Sequence, residues 1–231
     1  MRNWLTFDGK STKDFGVYIS GEGTYNAPER DEEKISVPGK NGDVVIDNGR
    51  YLNVALSYSA FIYRDFSVNI EGLRNFLLSA RGYKRLEDTY HPEEFRMAKW
   101  NGDFQADVVP YLGAGEFKLS FDCKPQRFLK AGEKTEIFTS AGMLMNLTTQ
   151  DAKPLIRAYG TGSFGVGDAT MTISAADVYT DIDCDIMDAY KGTTNCNGNI
   201  SGAFPVLRPG ENGISLTGIT RLEIIPRWWV L

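Results

Sequence analysis

The sequence predicts a mainly β protein in two domains. Three observations carry that prediction. Apolar residues recur at a spacing of two through much of the chain, short clusters of Gly, Pro and Asn separate those stretches, and one segment alone keeps the three- and four-residue spacing of an amphipathic helix. With 231 residues, 42% of them hydrophobic and 12% aromatic, the chain has the length for one large or two medium domains and the apolar content to bury a core.

In the first half, Val37-Pro38-Gly39-Lys40-Asn41-Gly42-Asp43 sets Pro-Gly and Asn-Gly turn signals between Ile35 and Val44-Val45-Ile46, as a chain reversal requires. From Leu52 to Ile62 the even positions read Leu52, Val54, Leu56, Tyr58, Ala60 and Ile62. Asn53, Ser57 and Ser59 stand among the odd ones, so a strand here has one apolar face. At about 3.3 Å per residue it extends roughly 40 Å, which predicts a protruding hairpin or a sheet shared between subunits. Ile70, Leu73, Phe76, Leu77 and Ala80 then recur at helical spacing, predicting a helix over about residues 69–81 with Asn69 as N-cap and Gly82 as stop. The segments 96–100 and 103–109 flank Asn101-Gly102 and read as a hairpin. Phe117, Leu119, Phe121 and Cys123 alternate with Lys118, Ser120 and Asp122 in another one-sided strand.

Lys124-Pro125 ends that strand, and the polar stretch 129–134 predicts a boundary, with domains at 1–130 and 131–231. Residues 1–130 hold 18 basic and 19 acidic residues, net −1, whereas 131–231 hold 7 and 11, net −4. The second part is Gly-rich and has no convincing helix. Its short strands, expected at Glu136–Phe138, Leu155–Tyr159, Thr170–Ile173, Val178–Met187, Gly213–Leu216 and Arg221–Ile225, predict a β-sandwich or jelly roll.

The formal charge of −5 argues against a phosphate-neutralising surface, so sequence-specific nucleic-acid binding is not expected. No window approaches the 18 apolar residues of a membrane helix, and the first nine residues break into polar and turn residues before a signal-peptide core forms. Membrane insertion and export are therefore not expected. Cys123, Cys184 and Cys196, odd and sparse, fit reduced thiols of a cytoplasm rather than a disulfide framework.

Four motifs invite a chemical reading. Gly160-Thr161-Gly162-Ser163-Phe164-Gly165 matches G-x-G-x-x-G, but residues 166–173 are rich in glycine and β-branched side chains where the phosphate-binding motif needs a helix, so it reads as a flexible hairpin connection. Asp181, Asp183 and Asp185 fall on one face of a strand. A calcium loop would need Gly where Ile186 stands and Glu where Gly192 stands, so a solvated strand face is expected. His91, the sole histidine, precedes Pro92 and reads as a turn residue, leaving no multi-histidine metal site. Trp228-Trp229 either closes the second domain's core or anchors a contact. No catalytic residue, metal site or cofactor is assigned, and an enzyme is not expected.

Taken in order, Phe7-Asp8-Gly9 with Ser11, Gly16-Val17-Tyr18-Ile19, Ile35-Ser36-Val37-Pro38-Gly39-Lys40-Asn41-Gly42-Asp43, Phe121-Asp122-Cys123-Lys124-Pro125, Pro205-Val206-Leu207-Arg208-Pro209-Gly210-Glu211-Asn212-Gly213-Ile214 and Pro226-Arg227-Trp228-Trp229 resemble the distal tail protein family of long-tailed, non-contractile bacteriophages. The resemblance spans nearly the whole chain. It implies a structural tail-tip protein: an N-terminal β-sandwich-like domain with one helix and a long projecting hairpin, and a C-terminal galectin-like or jelly-roll sandwich. The N-terminal domain would form a homo-hexameric ring joining the tail tube to the tip, with a lumen for DNA. Implied partners are the tail tube protein, a tail-tip hub or lysin-like protein, and a receptor-binding protein or tail fibre. The implied location is the virion, assembled in the host cytoplasm. The segment from Ile35 to Tyr63 is the expected ring interface, with Val37, Leu52, Val54, Leu56, Tyr58 and Ile62 as its candidate residues. A carbohydrate-binding or cell-wall-hydrolase β-sandwich module is the alternative.

Overall fold

The computed structural model describes residues 2–21, 23, 25–102, 106–109 and 113–231. Strands dominate, and the described residues include a single α-helix. The chain divides into two compact units, one of Met1–Arg127 with Leu231 and one of Phe128–Val230.

The first unit contains β1 (Leu5–Phe7), β2 (Lys10–Ser11), β3 (Tyr18–Ser20), β4 (Arg30–Ser36), β5 (Asp43–Tyr51), β6 (Val54–Ile62), α1 (Phe66–Ser79), β7 (Lys84–Asp88), β8 (Glu94–Trp100), β9 (Ala106–Val109) and most of β10 (Ala114–Leu129). Its main sheet runs β2-β1-β7-β8-β10-β6-β3, with β9 beside β10. All nine residues of β6 pair antiparallel with β10, from Val54 opposite Cys123 to Ile62 opposite Gly115. That register superposes the two period-two patterns: Phe117 stands opposite Ala60, Leu119 opposite Tyr58 and Phe121 opposite Leu56, all buried. Leu73 and Leu77 of α1 complete the same core, where the Phe7 and Phe121 rings lie 5.2 Å apart.

Three local expectations are corrected. The helix starts at Phe66, ahead of Asn69, with Asp65 as N-cap at φ +52°. Asn69 sits inside the first turn and its side-chain amide donates to the Arg64 carbonyl. The cause is tertiary: Phe66 packs edge-on to Phe117 at 6.4 Å, and its backbone N–H donates to the Gly113 carbonyl. Secondly, β8 pairs with β7 and β10, and β9 pairs with β10, so the strands either side of Asn101-Gly102 do not pair with each other. Residues 103–105 of that expected hairpin lie outside the described residues. Thirdly, the long one-sided strand is spent inside its own sheet; the reversal that stands off as a separate two-stranded sheet is β4-β5.

The second unit contains β11 (Glu136–Phe138), β12 (Gly142–Asn146), β13 (Leu155–Tyr159), β14 (Gly162–Val166), β15 (Ala169–Ile173), β16 (Tyr179–Asp183), β17 (Asp188–Lys191), β18 (Thr194–Asn195), β19 (Ile200–Gly202), β20 (Gly210–Thr217), β21 (Arg221–Ile225) and β22 (Trp229–Val230). Two sheets, β11-β21-β13-β16-β17-β18 and β12-β20-β14-β15-β19, enclose one core that includes Ile156, Phe164, Met171, Ile182, Leu207 and Leu222. This is a β-sandwich. Of the G-x-G-x-x-G segment, Gly160 and Thr161 form the bend that connects β13 to β14, whereas residues 162–165 belong to β14 itself, where Phe164, Gly165 and Val166 are buried. A Cβ on Gly162 would stand 2.1 Å from the Thr217 carbonyl oxygen, so glycine is what lets the start of β14 lie close against the backbone at the end of β20. At the start of β20, buried Asn212 closes the turn that leads into the strand by accepting from the Arg208 N–H at 2.9 Å and donating to the Arg208 and Gly210 carbonyls. Trp228 and Trp229 pack on the sandwich core, and the Trp229 indole N–H donates to the Asp151 carbonyl. Of the two readings of that pair, core closure is the one observed.

Gly115 offers a test of how α1 is seated. A Cβ there would lie 2.4 Å from Phe66 Cε2 and 3.0 Å from the Asp107 carbonyl oxygen. Gly115→Ala is expected to destabilise the protein by about 1–3 kcal/mol through overpacking, read as a lower midpoint in urea unfolding.

Candidate functional site

The β4-β5 hairpin forms a two-stranded sheet of its own and carries exposed branched apolar side chains. Its tip is built as its sequence dictates. Pro38 and Gly39 occupy the two central positions of a turn closed by the Lys40 N–H on the Val37 carbonyl at 3.1 Å, and Gly39, at φ +82°, supplies the left-handed backbone that a type II turn needs there. At the base, Arg30 donates to Asp47 at 2.9 Å, while Arg50 Nε and the Asn48 amide both donate to Asp31. Those two bonds, Arg50 first, hold the Asp31 carboxyl below the usual carboxylate range.

Between tip and base the ladder places Ile35 opposite Val44 and Glu33 opposite Ile46 on one face, and Lys34 opposite Val45 and Ser36 opposite Asp43 on the other. One face therefore groups Ile35, Val44 and Ile46, and the other is mostly charged. Ile35 is 39% exposed, Ile46 45% and Val45 51%. A two-stranded ribbon with no core of its own is marginal in water, and branched apolar side chains left on its surface gain stability only when something covers them.

Of the six residues expected at a ring interface, Val37 lies at the hairpin tip and Leu52 follows its base, both more than a third exposed. Val54, Leu56, Tyr58 and Ile62 are each no more than 5% exposed and belong to their own unit's core. Their even positions face inward because β6 is a paired strand of the main sheet, so they have no surface to offer a second subunit. Ile35, Val45 and Ile46 were not among the candidates, although the turn that presents them was plain in the sequence.

Other motifs resolve into internal fastenings. Asp181 and Asp183 are buried, not solvated: Arg157 donates to Asp181 at 2.6 and 2.9 Å, and Arg227 to Asp183 at 2.7 and 2.8 Å. The missed signal was the pair of arginines far along the chain. The Arg227 guanidinium holds the Asp183 carboxyl below its usual range. On the outer face of the same sheet the Tyr159 and Tyr179 rings lie 5.8 Å apart, with the Arg221 and Arg157 guanidiniums over them at 4.4 and 4.3 Å. These rings are engaged within the protein. His91 sits in the turn after β7, its backbone N–H and ring Nδ1 both on Asp88 Oδ1. Among the described residues no group of three or more His, Cys, Asp or Glu side chains has the arrangement of a metal site, and no helix is long and apolar enough to cross a membrane.

No protein-family model matches the sequence, and no curated protein matches it. Solved structures do. The crystal structure of SPP1 Dit (gp 19.1), a protein described as a paradigm of the hub adsorption apparatus in phages that infect Gram-positive bacteria, superposes with a TM-score of 0.75 at 13% identity, covering 99% of each chain. A chain of the phage P2 baseplate in its activated conformation with Ca superposes at 0.54 and 11% identity over 97% of each chain; with Sr the values are 0.51 and 11% over 96%.

The internal fastenings can be tested in two ways. Burial pushes the Cys123 and Cys184 thiols up to about 12, so neither is a thiolate near neutral pH, while Cys196 is half-buried. In the native protein a thiol reagent is expected to modify Cys196 alone, with Cys123 and Cys184 reacting only on unfolding. Arg227→Met leaves Asp183 buried without its counter-charge and is expected to cost about 3 kcal/mol at pH 7. Because the folded carboxyl is the more acidic state, the wild-type advantage is present above an unfolded aspartate pKa of about 3.9 and is lost as pH falls through the lower folded value, so the two stability curves converge in acid.

Over its whole length, in both units, this chain has the fold of the SPP1 Dit protein.

Proposed function

We propose that this protein is a structural, non-enzymatic component of a phage tail tip: a distal tail protein whose first unit closes into a hexameric ring between the tail tube and the tip. The second unit is the sandwich on which receptor-binding or adsorption proteins are mounted. The observation that carries this reading is the end-to-end fold match to SPP1 Dit, a hub protein of an adsorption apparatus, together with baseplate chains that share the fold. The hairpin supports it from physics. Its face of Ile35, Val44 and Ile46 has no cover within its own two-stranded sheet, and a heterologous contact repeated around a closed ring supplies one to every copy. The net charge of −5 suits a lumen that DNA crosses without adhering.

The tail tube protein, a central tip protein and a receptor-binding protein or tail fibre are the partners this role requires. Virion location and assembly in the host cytoplasm belong to the same proposal. A sugar-binding module has less support, because the paired tyrosines of the sandwich face are already engaged by arginines.

Light scattering across a concentration series, with electron microscopy of the largest species, tests the ring. The expected result is an annular particle of about 154 kDa, six times the 25.7 kDa chain, alone or with tail tube protein added. A monomer under every condition, tail partners included, overturns the proposal. Ile46→Asp or Ile35→Asp alters only the exposed hairpin, so either variant is expected to keep the wild-type monomer stability within about 0.5 kcal/mol while the ring is lost.

A further inference from the structure

The tip of the β4-β5 hairpin carries Asn41-Gly42, a dipeptide that is chemically labile where nothing restrains it. With no Cβ on the second residue, its backbone nitrogen can approach the side-chain carbon of the asparagine before it, an approach that other residues obstruct. Asn41 and Gly42 stand between the turn closed by Lys40 on Val37 and the last ladder pair, Ser36 with Asp43, and both are exposed. Gly42 lies at φ +81°, and a Cβ there would meet nothing within 4 Å, so no packing holds the step. Among the described residues neither the Asn41 amide nor the Gly42 N–H has a hydrogen-bond partner.

Elsewhere in the chain the same dipeptide is fastened. The Asn48 amide donates to Asp31, and the Gly49 N–H, which would have to attack, donates to Asp47 Oδ1 at 2.7 Å. Asn197 accepts from the Ala189 N–H and donates to Asp188. Asn212 is 2% exposed and bonded at both ends of its amide to the Arg208 backbone. Asn101 stands between the two cases, exposed but with its own backbone N–H on the Ser120 carbonyl. In sequence the five steps are alike; their surroundings separate them.

We infer that Asn41 is a site of spontaneous modification that limits how long a free copy keeps its hairpin fit for assembly. The Gly42 backbone nitrogen, its proton lost to solvent base, attacks Asn41 Cγ. That N–C bond forms, the Cγ–Nδ2 bond breaks, and Nδ2 takes up a proton and leaves as ammonia, with a five-membered succinimide left in the chain. Water then opens the ring: cleavage at Cγ gives aspartate, and cleavage at the main-chain carbonyl gives isoaspartate, with the backbone rerouted through Cβ and Cγ. Nothing is oxidised or reduced. Either product adds a negative charge beside Asp43, and isoaspartate also lengthens the path between β4 and β5 by one carbon. The effect on assembly rests on the hairpin being the ring contact proposed above. A new charge at the tip is costly to desolvate when the next copy covers Ile35 and Ile46, and a turn of altered length no longer sets the same ladder register.

Peptide mapping by mass spectrometry tests the chemistry without reference to any ring, on full-length wild-type protein held at physiological temperature in mildly alkaline buffer. The Asn41 peptide is expected to gain the mass of one amide-to-acid exchange and to split into aspartate and isoaspartate forms, the second labelled by an isoaspartyl methyltransferase. Asn48 and Asn197 are expected to react more slowly than Asn41, and Asn212 slower by about a hundredfold or more, because a buried, bonded asparagine reacts only from a locally opened state. An unmodified Asn41, or an Asn212 that reacts as fast, overturns the assignment. Aged and fresh samples are then compared for ring formation by light scattering. Aged wild type is expected to lose it in proportion to the modified fraction, while Asn41→Gln, aged alike, keeps it, since the longer side chain closes its ring far more slowly. Aged, modified wild type that assembles like fresh protein overturns the limit on assembly. Fresh protein that makes no ring under any condition overturns the ring reading and that limit with it, and the peptide map still decides the modification by itself.

Discussion

Everything in the first unit depends on the register between β6 and β10. Each strand is amphipathic with a period of two, and a slip of one residue would turn the apolar face of one against the polar face of the other. The observed pairing, Leu56 with Phe121 and Tyr58 with Leu119, puts both apolar faces on one side and makes a surface on which α1 can bury Leu73 and Leu77. The first turn of the helix depends on the same surface, because Phe66 is held against Phe117 and over Gly115. The sheet also decides what the β4-β5 hairpin must be. With β3 and β10 flanking β6, the reversal before it has no place in the sheet and stands as a separate ribbon with isoleucine and valine on its surface.

In the sandwich the corresponding constraint is electrostatic. Asp181 and Asp183 alternate with Ile182 and Cys184, so burying the apolar pair in the core seats the carboxylates on the sheet's other face, where Arg157 and Arg227 close over them. Arg227 meets Asp183 from a left-handed backbone at φ +60°, with its N–H on the Gly132 carbonyl. Buried pairs of this kind specify a geometry more than they add stability, because each charge loses its hydration before it gains its partner.

These two constraints account for where the polar and reactive side chains of the chain lie. Much of its chemistry is spent inward: Cys123 and Cys184 buried as thiols, Asp181 and Asp183 paired with arginines, glycines used to bring strands close. Ile35, Val37, Val45 and Ile46 leave apolar surface outward on a hairpin whose stability as an isolated ribbon is marginal. Under the proposed function, the next copy or a neighbouring tail protein completes the hairpin's packing.

Much was set by local pattern. The V-P-G-K-N-G turn, the one-sided strands and the edges of β11, β13 and β21 read directly from the residues, because the left-handed glycine of a tight turn and the inward alternation of a half-buried strand are short-range requirements. The closure of the turn over 208–212 by a buried side chain did not read from the residues. What only the tertiary structure decided was which neighbour each surface meets. Val54, Leu56, Tyr58 and Ile62 carry the same alternation whether they face a core or another subunit, and only the pairing partner of β6 assigns them to the core. Asp181 and Asp183 look solvated until arginines 24 and 44 residues away arrive beside them. The reason is common to both: periodicity states that a face is apolar or charged, whereas what covers that face depends on contacts between residues far apart in the chain.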